Sequence, residues 1–259
     1  MVSTLLLSPL HDPEARLLRW AERLSANDDP LSRAWHSVKA NYGKVLAVAS
    51  PVTDSRTRAV LERAGWVIAN GSNGIDRGLW AMVQRGLDDP VERIHFCDLD
   101  RVIHWLCHYP DELRQLPEVW DKADLVMLAR SPRAFASHPP CQTLTEGLAN
   151  QVIASRIGVR FADAFSGSYI WNRRAAEAVL RAPGPRDLRF YSEGVVGPFR
   201  AGCSVLRHEV EGLEWETPDQ FVDEIGRFGF DTWLQQFESS QQWRSRAEMA
   251  SLFVEAALS

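Results

Sequence analysis

"RIHFCDLDRV", residues 93–102, decides how the rest of the chain is read. An apolar run, Ile94-His95-Phe96-Cys97, ends in Asp98-Leu99-Asp100 and meets Arg101 at once. In an extended segment residues i and i+2 point to the same side, so Asp98 and Asp100 are expected together at the end of a buried strand. Two carboxylates that close are costly unless a cation, a hydrogen-bond donor or a proton lies between them. The segment asks for something positive.

Outward from it, short apolar runs alternate with amphipathic stretches. "TLLLSPL" (4–10), "KVLAVASPV" (44–52), "WVIANG" (66–71), "RIHFCD" (93–98) and "ADLVMLAR" (123–130) read as strands. Helices are predicted over 14–26, 53–65, 74–89 and around 103–119. Near-continuous apolar strands separated by helices imply an α/β fold, a mostly parallel central sheet flanked by helices on both faces. Such sheets bind ligands at the carboxyl ends of their strands, where Asp98 and Asp100 sit. Further on, 142–158 and 173–182 read as helices, with "AFSGSYIWN" (164–172) between them and a strand at "CSVLRHEVEG" (203–212). From Thr217, read as an N-cap before Pro218, the chain is helical to its end. The expected organisation is one domain over 1–212 with a helical C-terminal extension, 213–259, packed on it.

A chain of 259 residues, 45% hydrophobic, can bury one large core. A net charge of −5 argues against a general nucleic-acid binder. Only Lys39, Lys44 and Lys122 are lysines among 29 basic residues, which reflects composition rather than mechanism. Cys97, Cys107, Cys141 and Cys203 form no CxxC pair and are expected to be reduced thiols. The opening "MVSTLLLSPLHDP" has no basic n-region and too short an apolar run for a signal peptide or membrane span. The expectation is a cytoplasmic protein.

The order of features resembles the nucleotide-diphospho-sugar transferases, glycosyltransferases of the GT-A type. "FCDLD" matches that family's D-x-D motif after a buried strand, and "NGSNGIDRGL" (70–79) loosely matches an upstream N-x-G followed by a basic residue and a helix. "ADLVMLAR" looks like the strand ending in a basic residue, and "DAFSGSYIWNRRAAEAVL" (163–180) like the acceptor-side unit. "YSEGVVGPFRAGCSVLRHEV" (191–210) resembles the late acidic helix and strand. The resemblance spans roughly residues 3–212.

It implies a metal-dependent transferase that moves a sugar from a UDP- or GDP-sugar to a small-molecule or glycan acceptor. A divalent cation, Mn²⁺ or Mg²⁺, would neutralise the departing diphosphate, and such ions prefer carboxylate, phosphate and water oxygens. By the family pattern Asp98 would face the ribose, beside Leu99, and Asp98 and Asp100 would hold the cation. His208 is where some relatives supply a further ligand. Pro9, Leu10 and Asp12 would line the base pocket, with Asp12 equally readable as the cap of the next helix. Asn73 and Arg77 would approach the diphosphate, as would Arg130, although surface arginines need no such role. Ser166, Gly167 and Ser168 offer donors at a turn suited to the acceptor. Glu193 would be the catalytic carboxylate accepting the acceptor's proton, or simply an acid favoured at a helix N-terminus.

"HWLCH" (104–108) places His104, Cys107 and His108 on one helical face, a weak zinc pattern without the glutamate of HExxH. Trp215, Trp233 and Trp243 could cover an acceptor cleft or a homo-oligomer interface. Two other functions fit parts of the pattern. One is a haloacid-dehalogenase-type phosphatase using Asp98 as nucleophile and Asp100 as acid/base, against which Arg101 and the lack of a downstream lysine other than Lys122 count. The other is a non-catalytic binding protein on a GT-A-like fold.

Overall fold

A computed structural model describes residues 3–71 and 75–259. The elements run β1 (Thr4–Leu10), α1 (Leu18–Ser25), α2 (Pro30–Lys39), β2 (Lys44–Ala49), α3 (Ser55–Arg63), β3 (Val67–Asn70), α4 (Ile75–Leu87) and β4 (Arg93–Cys97). Then come α5 (Leu99–His108), α6 (Pro110–Gln115), β5 (Leu125–Arg130), α7 (Pro132–Ala136), α8 (Pro140–Ile157), β6 (Ser168–Asn172) and α9 (Arg173–Leu180). The last part holds α10 (Phe190–Arg200), β7 (Val205–Val210), α11 (Thr217–Gln220), α12 (Val222–Phe228), α13 (Phe230–Phe237) and α14 (Ser240–Leu258).

The strands form one seven-stranded sheet in the order β3-β2-β1-β4-β6-β5-β7. Every pairing is parallel except those of β6, which runs against both β4 and β5. Its reversal brings Ser168, the first residue of β6, opposite Cys97, the last of β4. The loop entering β6 therefore lies at the same edge as the carboxyl ends of the other strands.

Because successive strand residues face opposite sides, the buried strands serve two cores. Leu5, Leu7, Phe96, Tyr169 and Trp171 pack on one side with residues of α4, α8, α9, α10 and α14. Leu6, Leu10, Val45, Cys97 and Ile170 pack on the other with α1, α2, α3, α5 and α6. One polar group threads β4: His95, fully buried, has Tyr42 Oη at 2.7 Å and Ser168 Oγ at 3.1 Å. Burial pushes its imidazole down to about 3, so this bridge between β4 and β6 is neutral.

Local chemistry shifts several expected boundaries. β4 stops at Cys97 rather than Asp98, which is the N-cap residue, and the helix starts at Leu99 rather than near 103. Pro110 and Pro117 divide the expected 103–119 helix into α5, α6 and a 3₁₀ turn. The helix expected from residue 14 begins at Leu18, after a left-handed turn at Ala15 (φ 54°). α2 adds an element that starts where the Asp29 side chain accepts from Leu31 N at 2.7 Å. Thr217 is the first residue of α11 and Glu216 its N-cap, one position earlier than expected.

The final helix, α14, is a core element. Phe253 is fully buried and stacks on Phe165, with ring centroids 4.0 Å apart, and on Tyr191 at 5.9 Å. Its carbonyl accepts from Ser192 Oγ at 3.1 Å, and Arg189 pairs with Glu255 at 2.8 Å. Among the described residues no helix is long and apolar enough to cross a membrane. Phe253→Ala should cost about 3–5 kcal/mol in urea unfolding. A loss below about 1 kcal/mol would show that α14 is not part of this core.

Candidate functional site

At the carboxyl end of β4 the backbone turns from strand to helix within one residue, and the first turn of α5 carries three charged groups. Asp98 and Arg101 stand at i and i+3, on one helical face, with Nε 3.4 Å from Oδ2. The two side chains are 19% and 15% exposed. Arg101 Nη1 also donates to the carbonyls of Phe165, at 3.1 Å, and Ser166. Asp100 accepts from Arg101 N at 2.9 Å and from Gln220 Nε2 of α11 at 3.0 Å. Tyr191 Oη, on α10, lies 3.4 Å from Asp98 Oδ1. Part of the positive partner that the sequence demands is thus the next residue.

The balance is incomplete. Glu216 is buried beside this group, and its Oε2 has no hydrogen-bond partner among the described residues. Three carboxylates share one guanidinium. Burial pushes Asp98 up to about 7; Arg101 pulls it back, while Asp100 and Glu216 push further. Burial and Glu216 likewise lift Asp100 to about 6. Burial works against the Arg101 charge, but the three carboxylates outweigh it and keep the guanidinium protonated.

The turn into β6 closes the site from the other side. Asp98 N donates to Gly167 O at 3.3 Å. Gly167 is left-handed (φ 61°), and a Cβ there would lie 2.6 Å from Asp98 Oδ2 and 3.1 Å from Arg101 Nη1. Only glycine fits this turn without moving the carboxylate. Ser166 and Ser168 are fully buried and bond to one another. The structure therefore brings together Asp98, Leu99, Asp100 and residues 166–168. To these it adds Arg101, Tyr191, Glu216 and Gln220, which the sequence reading does not single out as partners.

Other expected residues lie elsewhere or are engaged. Asp12 is a capping and bracing residue. Its carboxylate accepts from Arg16 N (2.7 Å), Leu17 N (3.2 Å) and Thr57 Oγ1 (2.7 Å), tying the start of α1 to α3. Pro9 and Leu10 end β1, with Leu10 buried in the core on the α1 side. Asn73 lies outside the described residues, as does the side chain of Arg77. Glu193 is not brought to the Asp98–Asp100 pair. Two residues after Tyr191 on the same helix, it points to another side and binds Arg200 Nη1 through both oxygens, at 3.0 and 3.1 Å. Burial raises its carboxyl and Arg200 pulls it back, the pattern of a structural ion pair. His208 lies two residues before the end of β7; burial lowers its imidazole, and the charges acting on it include Glu112, Lys122 and Glu209 rather than the acidic pair.

Arg130 belongs to a second network at the end of β5, in which its Nη1 has no hydrogen-bond partner among the described residues. Its side chain is fully buried, with Asp163 Oδ1 at 2.6 Å, Asp163 Oδ2 at 2.9 Å and Glu146 at 2.7 Å. Asn150 Nδ2 also reaches Asp163, at 3.1 Å, and Arg246 faces Glu146 at 3.5 Å. Burial opposes the Asp163 charge, but Arg130 holds its carboxyl below the usual range.

No family model matches the chain, and no curated protein matches it. Solved structures do. One described only as a mycobacterial protein has a TM-score of 0.52 at 15% identity, covering 81% of this chain and 66% of its own. CMP:2-keto-3-deoxy-manno-octonic acid synthetase, solved with CTP, has a TM-score of 0.49 at 12% identity, over 81% of this chain and 90% of that one. A candidate nucleotide-diphospho-sugar transferase from Desulfovibrio desulfuricans G20 has a TM-score of 0.43 at 12% identity, over 98% of this chain and 99% of that one. At 15% identity the likeness to the first of these is one of fold alone.

The geometry at Arg130 gives a direct expectation. Arg130→Gln leaves Asp163 and Glu146 buried with too little positive charge, which should cost about 3–5 kcal/mol in urea unfolding. A change below about 1 kcal/mol, accompanied by weaker nucleotide binding, would instead assign Arg130 to a ligand.

Proposed function

We propose that this chain is a transferase whose donor is a nucleoside-diphosphate sugar, a UDP- or GDP-sugar, and which passes a hexosyl group to a small-molecule or glycan acceptor with the help of Mn²⁺ or Mg²⁺. The observation that carries this reading is the under-neutralised acid cluster at the carboxyl end of β4: Asp98, Asp100 and Glu216 against Arg101 alone. Open α/β sheets bind ligands at that edge. The donors are all carboxylate oxygens, and Glu216 Oε2 is buried without a partner among the described residues, which suits a hard divalent cation. The resemblance of "FCDLD" and its neighbouring motifs to the sugar-nucleotide transferases points the same way.

When bound, the cation would supply positive charge against the diphosphate as it departs. The chain's own residues do the rest. Asp100 and Asp98 would hold the cation, with Glu216 adding negative charge beside them from the cap of α11. Arg101 stays pinned to the 165–166 carbonyls and so fixes the direction of the Asp98 carboxylate. Gly167 allows the 166–168 turn to approach without displacing it. Tyr191 supports Asp98 from α10. The reading assigns Glu193 to the ion pair with Arg200 rather than to proton transfer.

A thermal-shift series of UDP- and GDP-sugars, with and without Mn²⁺, tests this directly. Wild type should be stabilised most by Mn²⁺ and nucleotide together, and Asp100→Asn should lose the metal-dependent part. Asp98→Asn should lose more nucleotide affinity than metal affinity. No metal-dependent shift with any donor would favour a non-catalytic binding protein. Hydrolysis of p-nitrophenyl phosphate, abolished by Asp98→Asn, would favour the phosphatase.

The pH dependence follows from the same groups. Their ordinary values are near 4, and in the fold they are raised to about 7 and about 6. The folded state therefore holds protons that the unfolded chain has lost, and their contribution to stability is full below about pH 4 and disappears as pH rises through 6–7. A cation takes the place of those protons. The Mn²⁺-induced rise in Tm should accordingly grow between pH 5 and pH 8, and a rise independent of pH would place the ion elsewhere.

A further inference from the structure

We propose that His104, His108 and Asp219 bind a zinc ion that fastens α11 to α5, with Glu214 orienting His104. This goes beyond the cation of the acid cluster: it is a separate site with different donors. His104 and His108 are i and i+4 on α5, with ring centroids 4.5 Å apart. Asp219 comes from α11 and faces both: Oδ2 lies 2.6 Å from His104 Nδ1 and 3.5 Å from His108 Nε2. All three donor atoms fall within 4.8 Å of one another. Tetrahedral zinc with bonds of about 2.1 Å needs donors roughly 3.4 Å apart. The ion requires the Asp219 carboxylate to withdraw from His104 by less than about 1 Å.

The other nitrogen of His104 supplies a second, independent observation. Nε2 is buried, with no closer partner among the described residues than Glu214 Oε1 at 3.4 Å. A metal-bound histidine commonly donates its remaining N–H to a carboxylate, which fixes the tautomer and turns the free lone pair to the metal. Glu214 is itself held, by Arg133 at 2.6 Å and Tyr109 Oη at 3.1 Å. The arrangement is thus carboxylate and imidazole in line, with a second imidazole and a carboxylate beside the other ring nitrogen, whose proton, now donated to Asp219, the ion would displace.

Two imidazoles and one carboxylate suit zinc rather than Mn²⁺ or Mg²⁺, which favour oxygen. Cys107, the third polar member of "HWLCH", does not fall within this donor group. The fourth position faces a groove of about 580 Å³ that His108 and Asp219 line with Arg19 and Arg23, so water can complete the shell. The consequence for the chain is mechanical. α11 carries Gln220, which donates to Asp100, and is capped by Glu216, so an ion at Asp219 would hold both against the acid cluster.

Isothermal titration of the full chain after EDTA treatment tests the site, with Zn²⁺ alone as the probe. Wild type should bind one equivalent, and Co²⁺ in its place should give the intense visible absorption of a tetrahedral ion. His108→Ala, at a half-exposed ring, should weaken zinc binding by more than about 100-fold, and Glu214→Gln by about 10- to 100-fold. Asp100→Asn should leave zinc affinity unchanged, which separates this site from the one proposed for Mn²⁺ and nucleotide. Absence of stoichiometric zinc in wild type would overturn the proposal. So would binding that survives His108→Ala, or that is lost in Asp100→Asn alone.

Discussion

The β4 corner of the sheet's carboxyl edge is organised around one part-buried guanidinium. Arg101 reaches Asp98 in its own helix and the carbonyls of Phe165 and Ser166 in the turn before β6. This contact joins the end of β4, the start of α5 and the entry to β6 into one rigid corner. It is possible only because β6 runs antiparallel, so that its first residue, Ser168, lies opposite Cys97. A parallel β6 would put that turn at the far edge, and Arg101 would be buried without the two carbonyls. Gly167 is the steric counterpart of the same constraint, since any side chain there collides with the carboxylate that Arg101 holds.

Two acid–base networks lie at this edge and differ in their charge balance. Around Arg130, two arginines face two carboxylates; Asp163 is held below its ordinary range, while burial still lifts Glu146. Around Arg101, one arginine faces three carboxylates, and Asp98 and Asp100 are pushed up. Burial opposes ionisation in both, and in each the local cations pull against it. A network with as many cations as carboxylates holds the fold together, whereas one short of cations can still accept positive charge. This difference, rather than the presence of acidic residues, makes the β4 edge the candidate site.

Much of the fold is legible because its signals are local. β1 begins and ends at Thr4 and Leu10 as its apolar run predicts, and the alternation of Leu5 and Leu7 with Leu6 and Leu10 between the two cores follows from the pleat. The same local reading fails at 98–102, because a buried strand can pass to a helix within one residue and the apolar run gives no warning. With the helix start placed at Leu99, the Asp98–Arg101 spacing of three would have identified Arg101 as the partner. Glu193 and Glu216 show the limit more sharply. Both are acids at helix starts, and local sequence does not tell them apart. Arg200, seven positions along the same helix, closes one into an ion pair, while the return of the chain after β7 sets the other beside Asp98.

That return also decides what the segment after residue 212 is for. Cutting the chain there separates consecutive residues but divides physical units. Trp215 and Trp233 are buried and pack with Phe230 and Phe237 in an aromatic cluster adjoining Glu216. Trp243 stays about one-third exposed, at 36%. α14 contributes Phe253 to the core on the α10 side, where Tyr191 stacks on it while its hydroxyl meets Asp98. The segment thus touches the acid cluster in two ways: through the charges and amide that α11 and its cap present, and through the ring that sets Tyr191. A rearrangement of either α11 or α14 would change the surroundings of Asp98 without altering any residue of β4 or α5. The electrostatics of the β4 edge are therefore a property of the whole chain, completed by its last fifty residues.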